Sequence, residues 1–296
     1  MKNPKNYKRS FSIFPIIIIS LIMLASRAFP KVSADTLQLC FVDVGQGDSV
    51  FLKTPDGETW LIDGGEYDAF DSELQPFLYS QGIHKVDYAL VTHYHSDHMG
   101  GISELLESGG AENLVLPDYS PGSKAKTKLL KLAQKTGTSV LEMSEGDTLP
   151  TLDDNLKISV LHPNQGGFSS ENDNNNSMVL KVEYFDTTIL LTGDLEVEAE
   201  EILVKKYDLE ADILKLGHHG SSTSTSDGFI EEVNPTYGII SAGQGNRYGH
   251  PHYEVLNRLD DNDVMIFRTD KDGDVTFHLS EKGIESIKTE TNYSKE

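Results

Sequence analysis

The stretch His93-Tyr94-His95-Ser96-Asp97-His98 puts four potential metal ligands within six residues, directly after the apolar run Tyr88-Ala89-Leu90-Val91. Residues Tyr88 to Thr92 read as a buried strand that delivers the cluster to a sheet edge. Imidazole nitrogens with a carboxylate suit zinc, manganese or iron, ions that turn a bound water into a nucleophile at neutral pH. His93 and His95 lie two apart on an extended segment, so both can face one ion. Asp97 and His98 are adjacent and point differently, which suits a second ion nearby. The pattern predicts a metal-dependent hydrolase whose remaining ligands come from elsewhere in the chain.

Outward from this cluster, the chain from Leu37 to Leu279 alternates strands and helices. Leu37–Val42, Ser49–Thr54 and Glu58–Ile62 are strand-like, the last two joined by the turn Pro55-Asp56-Gly57. Helices are expected over Ser72–Gln81, Gly101–Ser108 and Lys124–Lys135, ending at Gly82, Gly109 and Gly137. Asn164 to Asn176 reads as a mobile loop rich in Gly, Ser, Asn and acids. Ser177–Phe185 and Thr188–Thr192 read as a hairpin. Glu196–Lys206 is a helix with acids early and lysines late, matching its dipole. Ile213–Leu216 and Tyr237–Ser241 are short strands and Tyr253–Leu259 is a helix. Val264–Thr269 and Val275–Leu279 read as a last hairpin across Asp270-Lys271-Asp272-Gly273, followed by a frayed polar tail after Gly283. Two sheets packed together with helices outside, and a ligand set at one edge, fit this order better than two independent domains do.

His93-x-His95-x-Asp97-His98 resembles the signature of the metallo-β-lactamase superfamily. Phe41 to Ser49 (FVDVGQGDS), Leu61-Ile62-Asp63-Gly64-Gly65, Leu191-Thr192-Gly193-Asp194, Leu216 to Ser221 (LGHHGS) and Tyr248-Gly249-His250-Pro251 narrow the likeness. Together they resemble the hydrolase domain of ComEC-type competence proteins, the DNA-uptake channels, without the membrane channel. The resemblance implies an α/β fold, a four-layer αββα sandwich, over residues 35–285, with two divalent ions, zinc foremost or manganese, at one edge. It implies His93, His95, Asp97, His98, Asp194 and His219 as metal ligands, with the Asp194 carboxylate bridging. Which of His218 and His219 is the ligand stays open; His219 is favoured, with His218 as a substrate contact or proton donor. Asp97, His218 and His250 are the expected catalytic groups. Asp63 resembles the acid that orients the metal-binding loop. Many superfamily members have a further histidine near Asn174-Asn175-Asn176-Ser177. ComEC-like domains carry an Asn-rich stretch ending in Ser there instead, so Asn175, Asn176 and Ser177 are expected around a looser first site. Ser221 is a candidate oxyanion contact or a helix cap. Asp43 and Asp48 flank the Gly-Gln-Gly turn and either line the pocket or fix the turn. His84, His162 and His278 read as ordinary packing or surface residues.

The N-terminus has a basic segment (Lys2, Lys5, Lys8, Arg9), an apolar run from Phe11 to Ala25, and small residues at Val32-Ser33-Ala34. Residues 1–34 read as a secretory signal peptide, cleaved to leave no membrane span. The destination is then extracytoplasmic or secreted, with cell-wall association compatible. The single cysteine, Cys40, cannot form an internal disulfide and reads as a small buried residue. The net charge is −22, and losing the six Lys/Arg of residues 1–34 takes it to −28. So acidic a surface argues against tight non-specific binding to DNA, which needs Lys and Arg to replace condensed counterions. A metal centre can still receive one phosphate. The expected substrate is a phosphodiester, single-stranded or fragmentary nucleic acid, and no obligate protein partner is evident. Phosphorylcholine esters of teichoic acid are the nearest alternative, followed by lactones or β-lactams. Outside enzymes, the alternative is a metal-stabilised binding module.

Overall fold

The computed structural model describes residues 35–119, 124–168 and 172–290. The expected signal peptide and the end of the polar tail lie outside the described residues. The strands of the first half are β1 (Leu37–Phe41), β2 (Val50–Lys53), β3 (Thr59–Ile62), β4 (Val86–Leu90), β5 (Ala111–Pro117), β6 (Ser139–Met143) and β7 (Thr148–Leu149). Those of the second half are β8 (Leu156–His162), β9 (Val179–Tyr184), β10 (Thr187–Leu191), β11 (Ile213–Lys215), β12 (Tyr237–Ile240), β13 (Met265–Arg268), β14 (Val275–Ser280) and β15 (Gly283–Thr289). One sheet runs β15-β14-β1-β2-β3-β4-β5-β6, the other β13-β12-β11-β10-β9-β8-β7.

Period-two alternation sorts each strand between two environments. Leu37, Leu39 and Phe41 of β1 face the opposite sheet, whereas Cys40 faces the helices. Trp60 of β3 is fully buried between the sheets and stacks on Tyr88 with ring centroids 3.9 Å apart and planes 7° from parallel. Helices Gln75–Ser80, Ser96–Glu107 and Lys124–Thr136 cover the outer face of the first sheet through Leu78, Ile102 and Leu129. Helices Val197–Lys206, Asp227–Val233 and Tyr253–Asp261 cover the second through Leu203, Ile230 and Val255. The result is the expected helix–sheet–sheet–helix sandwich. Truncating one fully buried leucine such as Leu39 to alanine costs about 2–5 kcal/mol in a core of this kind.

Several local expectations are corrected. The helix after the histidine cluster begins at Ser96, not Gly101, so Asp97 and His98 occupy its first turn. Gly100 and Gly101 sit inside this helix because the loop from Asp63 crosses it closely: a Cβ on Gly101 would lie 2.0 Å from the Gly64 carbonyl oxygen. Val264–Thr269 and Val275–Leu279 are not a hairpin. β13 pairs parallel to β12 after the crossover helix Tyr253–Asp261, and the chain then passes to the other sheet, where β14 pairs antiparallel to β1. The region after Gly283 is not frayed as far as it is described. β15 pairs along β14, and Ile284 and Ile287 pack on the core while Glu285 and Lys288 mark it as a charged edge strand. Asn174–Asn176 form a buried 3₁₀ turn rather than a mobile loop.

The two sheets matter to function because their parallel strands end together. β4, β10, β11 and β12 all run out at one edge, and loops beyond carboxyl ends of parallel strands are where α/β sheets place ligands.

Candidate metal centre

Asp194 is the hub of this edge. It follows β10 across Gly193, is buried, and its backbone N–H donates to Ser177 Oγ at 3.0 Å. Its two oxygens face two donor sets. Oδ1 lies 3.2 Å from His98 Nε2 and 3.5 Å from His219 Nε2, and that same His219 nitrogen is 3.4 Å from Asp97 Oδ2. Oδ2 lies 3.8 Å from His93 Nε2 and 3.9 Å from His218 Nε2, while His93 Nε2 is 3.0 Å from His95 Nδ1.

The other ring nitrogens are held from behind. His98 Nδ1 is 2.8 Å from Asp63 Oδ2, and Asp63 also accepts from the backbone N–H and hydroxyl of Thr92 at 2.8 and 2.7 Å. His219 Nδ1 donates to the Ser241 carbonyl oxygen at 3.1 Å and lies 3.1 Å from Asp48 Oδ1. His218 Nδ1 is 3.0 Å from Glu196 Oε1. His93 Nδ1 is contacted by Thr92 Oγ1 and Ser177 Oγ at 3.2 and 3.3 Å. Holding one imidazole nitrogen with an acid, carbonyl or hydroxyl leaves the other presented as a ligand, which is how metal-binding histidines are oriented. His218 and His219 both adopt left-handed backbone, with φ of 46° and 55°. Such conformations cost non-glycine residues about 1–3 kcal/mol each and collect at functional sites. Here they turn two consecutive rings onto opposite oxygens of one carboxylate.

The chemistry of this donor set asks for cations. Asp48, Asp63 and Asp194 are buried with Asp97 beside them, yet Lys215 is the one lysine or arginine paired with any of the four among the described residues. Burial alone would raise the Asp194 carboxyl, but His219 and His98 outweigh it and hold Asp194 well below the usual carboxylate range. Burial would likewise lower His219, but Asp194 and Asp48 push it up to about 10. His98 Nε2, Asp194 Oδ1 and His219 Nε2 are buried without a hydrogen-bond partner. A tetrahedral ion with bonds of about 2.0–2.2 Å has ligands roughly 3.3–3.6 Å apart. The 3.2–3.5 Å spacings among Asp97, His98, Asp194 and His219 match that figure. The residues therefore fit a divalent ion in this set, and His93 with His95 and Asp194 Oδ2 form a second, looser set.

The expected ligands His93, His95, Asp97, His98, Asp194 and His219 thus converge on one cleft of ≈ 330 Å³, which His218 and His250 also line. Of the open pair, His219 is the buried member inside the tight set, and His218 sits at the rim with its side chain 24% exposed. His250 stands 5.4 Å from the His218 ring; burial first, then His219 and His218, lower it to about 4. Asn175 and Asn176 do not line the cleft. Asn175 spends its amide on the Glu196 N–H and on Glu198, and Asn176 Oδ1 accepts from the Phe168 N–H. Ser177 holds His93 and Asp194 from behind, and Ser221 caps its own turn through Thr223 rather than facing the cleft. Asp43 fixes the turn, accepting from the Gly45 N–H.

Asp48, which sequence reading left between pocket and turn, and four groups it passed over belong to the site. Lys215 Nζ is 2.9 Å from Asp48 Oδ2, an ion pair sealed beneath His219. A charge inside the apolar run Ile213–Leu216 was the visible signal. Glu196 backs His218, Asn174 faces the cleft in place of Asn175, and Arg247 lines its mouth beside Tyr248.

The sequence pattern of the Metallo-beta-lactamase superfamily matches residues 42–244. The chain is 34% identical over 294 residues to ComE operon protein 3 of Bacillus subtilis (strain 168), covering 93% of this chain and 37% of that protein. It is 29% identical over 282 residues to competence protein ComA of Neisseria gonorrhoeae, covering 94% and 37%. The chain thus spans little more than a third of these relatives. Igni18, a metallo hydrolase from the archaeon Ignicoccus hospitalis KIN4/I, shares the fold with TM-score 0.52 at 16% identity, over 83% of this chain and 100% of that one.

Proposed function

The chain belongs to the metallo-beta-lactamase superfamily, as a metallo-hydrolase homologous to competence proteins, and from that premise we propose that it is an exported phosphodiesterase acting on nucleic acid. The observation that carries the reading is the Asp194 carboxylate, with one oxygen in each of two donor sets. Divalent ions held by His93, His95 and Asp194, and by Asp97, His98, Asp194 and His219, would supply Lewis acidity and an activated water for in-line displacement at phosphorus.

The chain's own residues supply the rest. Asp63 and Ser241 fix the rings of His98 and His219 so that each presents Nε2 inward. Glu196 holds His218 through Nδ1, leaving Nε2 directed to the cleft, the arrangement of an acid that gives a proton to a departing oxygen. His250, kept neutral by its surroundings, is placed to accept or donate one hydrogen bond to the substrate. Export is supported by the basic and apolar character of residues 1–34.

The phosphorylcholine reading requires an aromatic cage for a quaternary ammonium. Trp60, the sole tryptophan, is sealed between the sheets; among the described residues Tyr248 is the one Tyr, Phe or Trp lining the cleft, and it carries the Arg247 guanidinium, which repels such a group. The test sets bis-p-nitrophenyl phosphate, p-nitrophenyl phosphorylcholine and single-stranded DNA side by side, with zinc or manganese added to metal-free protein and Asp97→Ala as control. Metal-dependent cleavage of DNA that the variant loses is the expected result. Fast cleavage of the choline ester with DNA untouched would overturn the reading.

A further inference from the structure

We propose that Arg247 and Tyr248 form a subsite at the mouth of the cleft that binds one nucleobase and one phosphate of single-stranded nucleic acid. This inference rests on the phosphodiesterase reading and goes beyond it by naming the residues that recognise the polymer. Tyr248 is a large ring held in solvent, 47% exposed. It stacks on His250 with centroids 5.6 Å apart and planes at 21°, and the His250 ring in turn lies 6.2 Å from His219 at 30°. The Arg247 guanidinium carbon is 4.9 Å from the Tyr248 ring centre, and Nη2 donates to the Tyr248 hydroxyl at 2.6 Å. Planar groups therefore lead in sequence from the metal centre to solvent.

The loop that carries them is fixed. The Asn246 side chain donates to the carbonyl oxygens of Gly243 and His250 at 3.0 and 2.6 Å and accepts from the N–H groups of Tyr248 and His250 at 3.2 and 3.0 Å. At the base of the loop a Cβ on Gly243 would lie 2.7 Å from the Gln46 nitrogen, so the loop is seated directly on its neighbour. None of this is needed to bury Tyr248. The guanidinium lies over the Tyr248 ring, and an exposed aromatic ring combined with an arginine is a platform on which proteins stack unpaired bases sequence-tolerantly.

Charge selects the same ligand. In a chain of net charge −22, Arg247 is the one lysine or arginine among the described residues lining the cleft, amid Glu66, Asp97 and Asp194. One cation at the mouth localises one phosphate without holding a long duplex. A base must leave its stack to meet Tyr248, which favours single strands.

The test measures binding of a short labelled oligothymidylate and of an abasic oligonucleotide of equal length, by fluorescence anisotropy, to metal-free protein and again with calcium. Stacking on one aromatic side chain changes affinity by about 5–150-fold. The native protein is expected to prefer the base-containing strand within that range. Tyr248→Phe keeps the preference and Tyr248→Ala abolishes it. Arg247→Ala weakens both ligands alike and lowers the slope of log affinity against log salt by about 0.7, the figure for one phosphate of a single strand. Equal binding of both strands by the native protein, or a preference that survives in Tyr248→Ala, overturns the subsite. If bis-p-nitrophenyl phosphate is still hydrolysed in that case, the phosphodiesterase reading stands and only the subsite falls. If no phosphodiester is hydrolysed and neither strand binds, both fall.

Discussion

Replacing Lys215 by methionine tests whether the floor beneath His219 is built as described. Lys215 is 1% exposed, its ammonium 2.9 Å from Asp48 Oδ2 and 2.8 Å from the Leu216 carbonyl oxygen. Asp48 is itself buried, and burial would raise its carboxyl; Lys215 and His219 reverse this and hold it below its ordinary value. Lys215→Met fills the same space but strips Asp48 of its ammonium partner and leaves it the His219 ring alone as a paired cation. Removing one half of a buried pair costs about 3–5 kcal/mol, most of it the orphaned charge. For a domain of this size each kcal/mol moves the midpoint by about 2–4 °C, so the expected fall is about 6–20 °C. Near-UV circular dichroism of metal-free protein at neutral pH reads it. Adding Asp48→Asn removes the orphaned charge, and the double variant should recover at least half of the loss, a strong non-additivity between contacting sites. Metal affinity should fall about 10–100-fold in Lys215→Met, because Asp48 faces the back of His219. A loss under about 1 kcal/mol, or simple additivity with Asp48→Asn, would refute the reasoning.

Three further outcomes follow from other parts of the molecule. Gly101→Ala puts a methyl 2.0 Å from the Gly64 carbonyl oxygen, so thermal unfolding should show a loss of about 1–3 kcal/mol or more, with weaker metal binding as His98 shifts. His218→Ala should slow cleavage of DNA by about 10²–10⁴-fold and cleavage of bis-p-nitrophenyl phosphate far less, because p-nitrophenolate departs without a proton; equal losses on both would remove His218 from that role. Burial first, then Glu290, Asp43 and Glu73, outweigh the Asp43 N–H and raise the Asp274 carboxyl to about 6 from 3.8. Between those pH values the folded state binds the extra proton, so this contribution is greatest below the lower value and is lost as pH rises toward the upper. Asp274→Asn keeps the oxygen that accepts the Asp43 N–H, and its urea midpoint should rise relative to the native protein across that window, then run parallel above it.

Much of the fold is legible because its signals are local. Apolar runs bounded by Gly, Pro and Asp marked most strands, and the sandwich followed from their order. The errors have physical causes. The sequence places the helix start at Gly101, yet the helix begins at Ser96 and carries glycine at 100 and 101 because the Asp63 loop crosses it. Two apolar runs around Asp270–Gly273 read as a hairpin, because nothing local reveals that β13 completes a crossover in one sheet while β14 belongs to the other. The ligand set is legible since His93, His95, Asp97 and His98 share one turn of chain. What sequence leaves hidden are the groups that act from a distance: Lys215, which pairs with Asp48 under His219, Glu196 behind His218, and Arg247 at the mouth. The Asn-rich stretch points to the right place, but only the folded turn shows that Asn174 faces the cleft while Asn175 and Asn176 tie the loop down.

The measurement closest to the central claim is metal stoichiometry with turnover, for the native protein and Asp194→Ala. Metal-stripped protein titrated with manganese or zinc should take up two ions per chain and hydrolyse bis-p-nitrophenyl phosphate only when loaded. Asp194→Ala should lose both ions, and with them turnover by at least about 10³-fold, since its two oxygens face both donor sets. Full metal binding or undiminished turnover in Asp194→Ala would contradict the account.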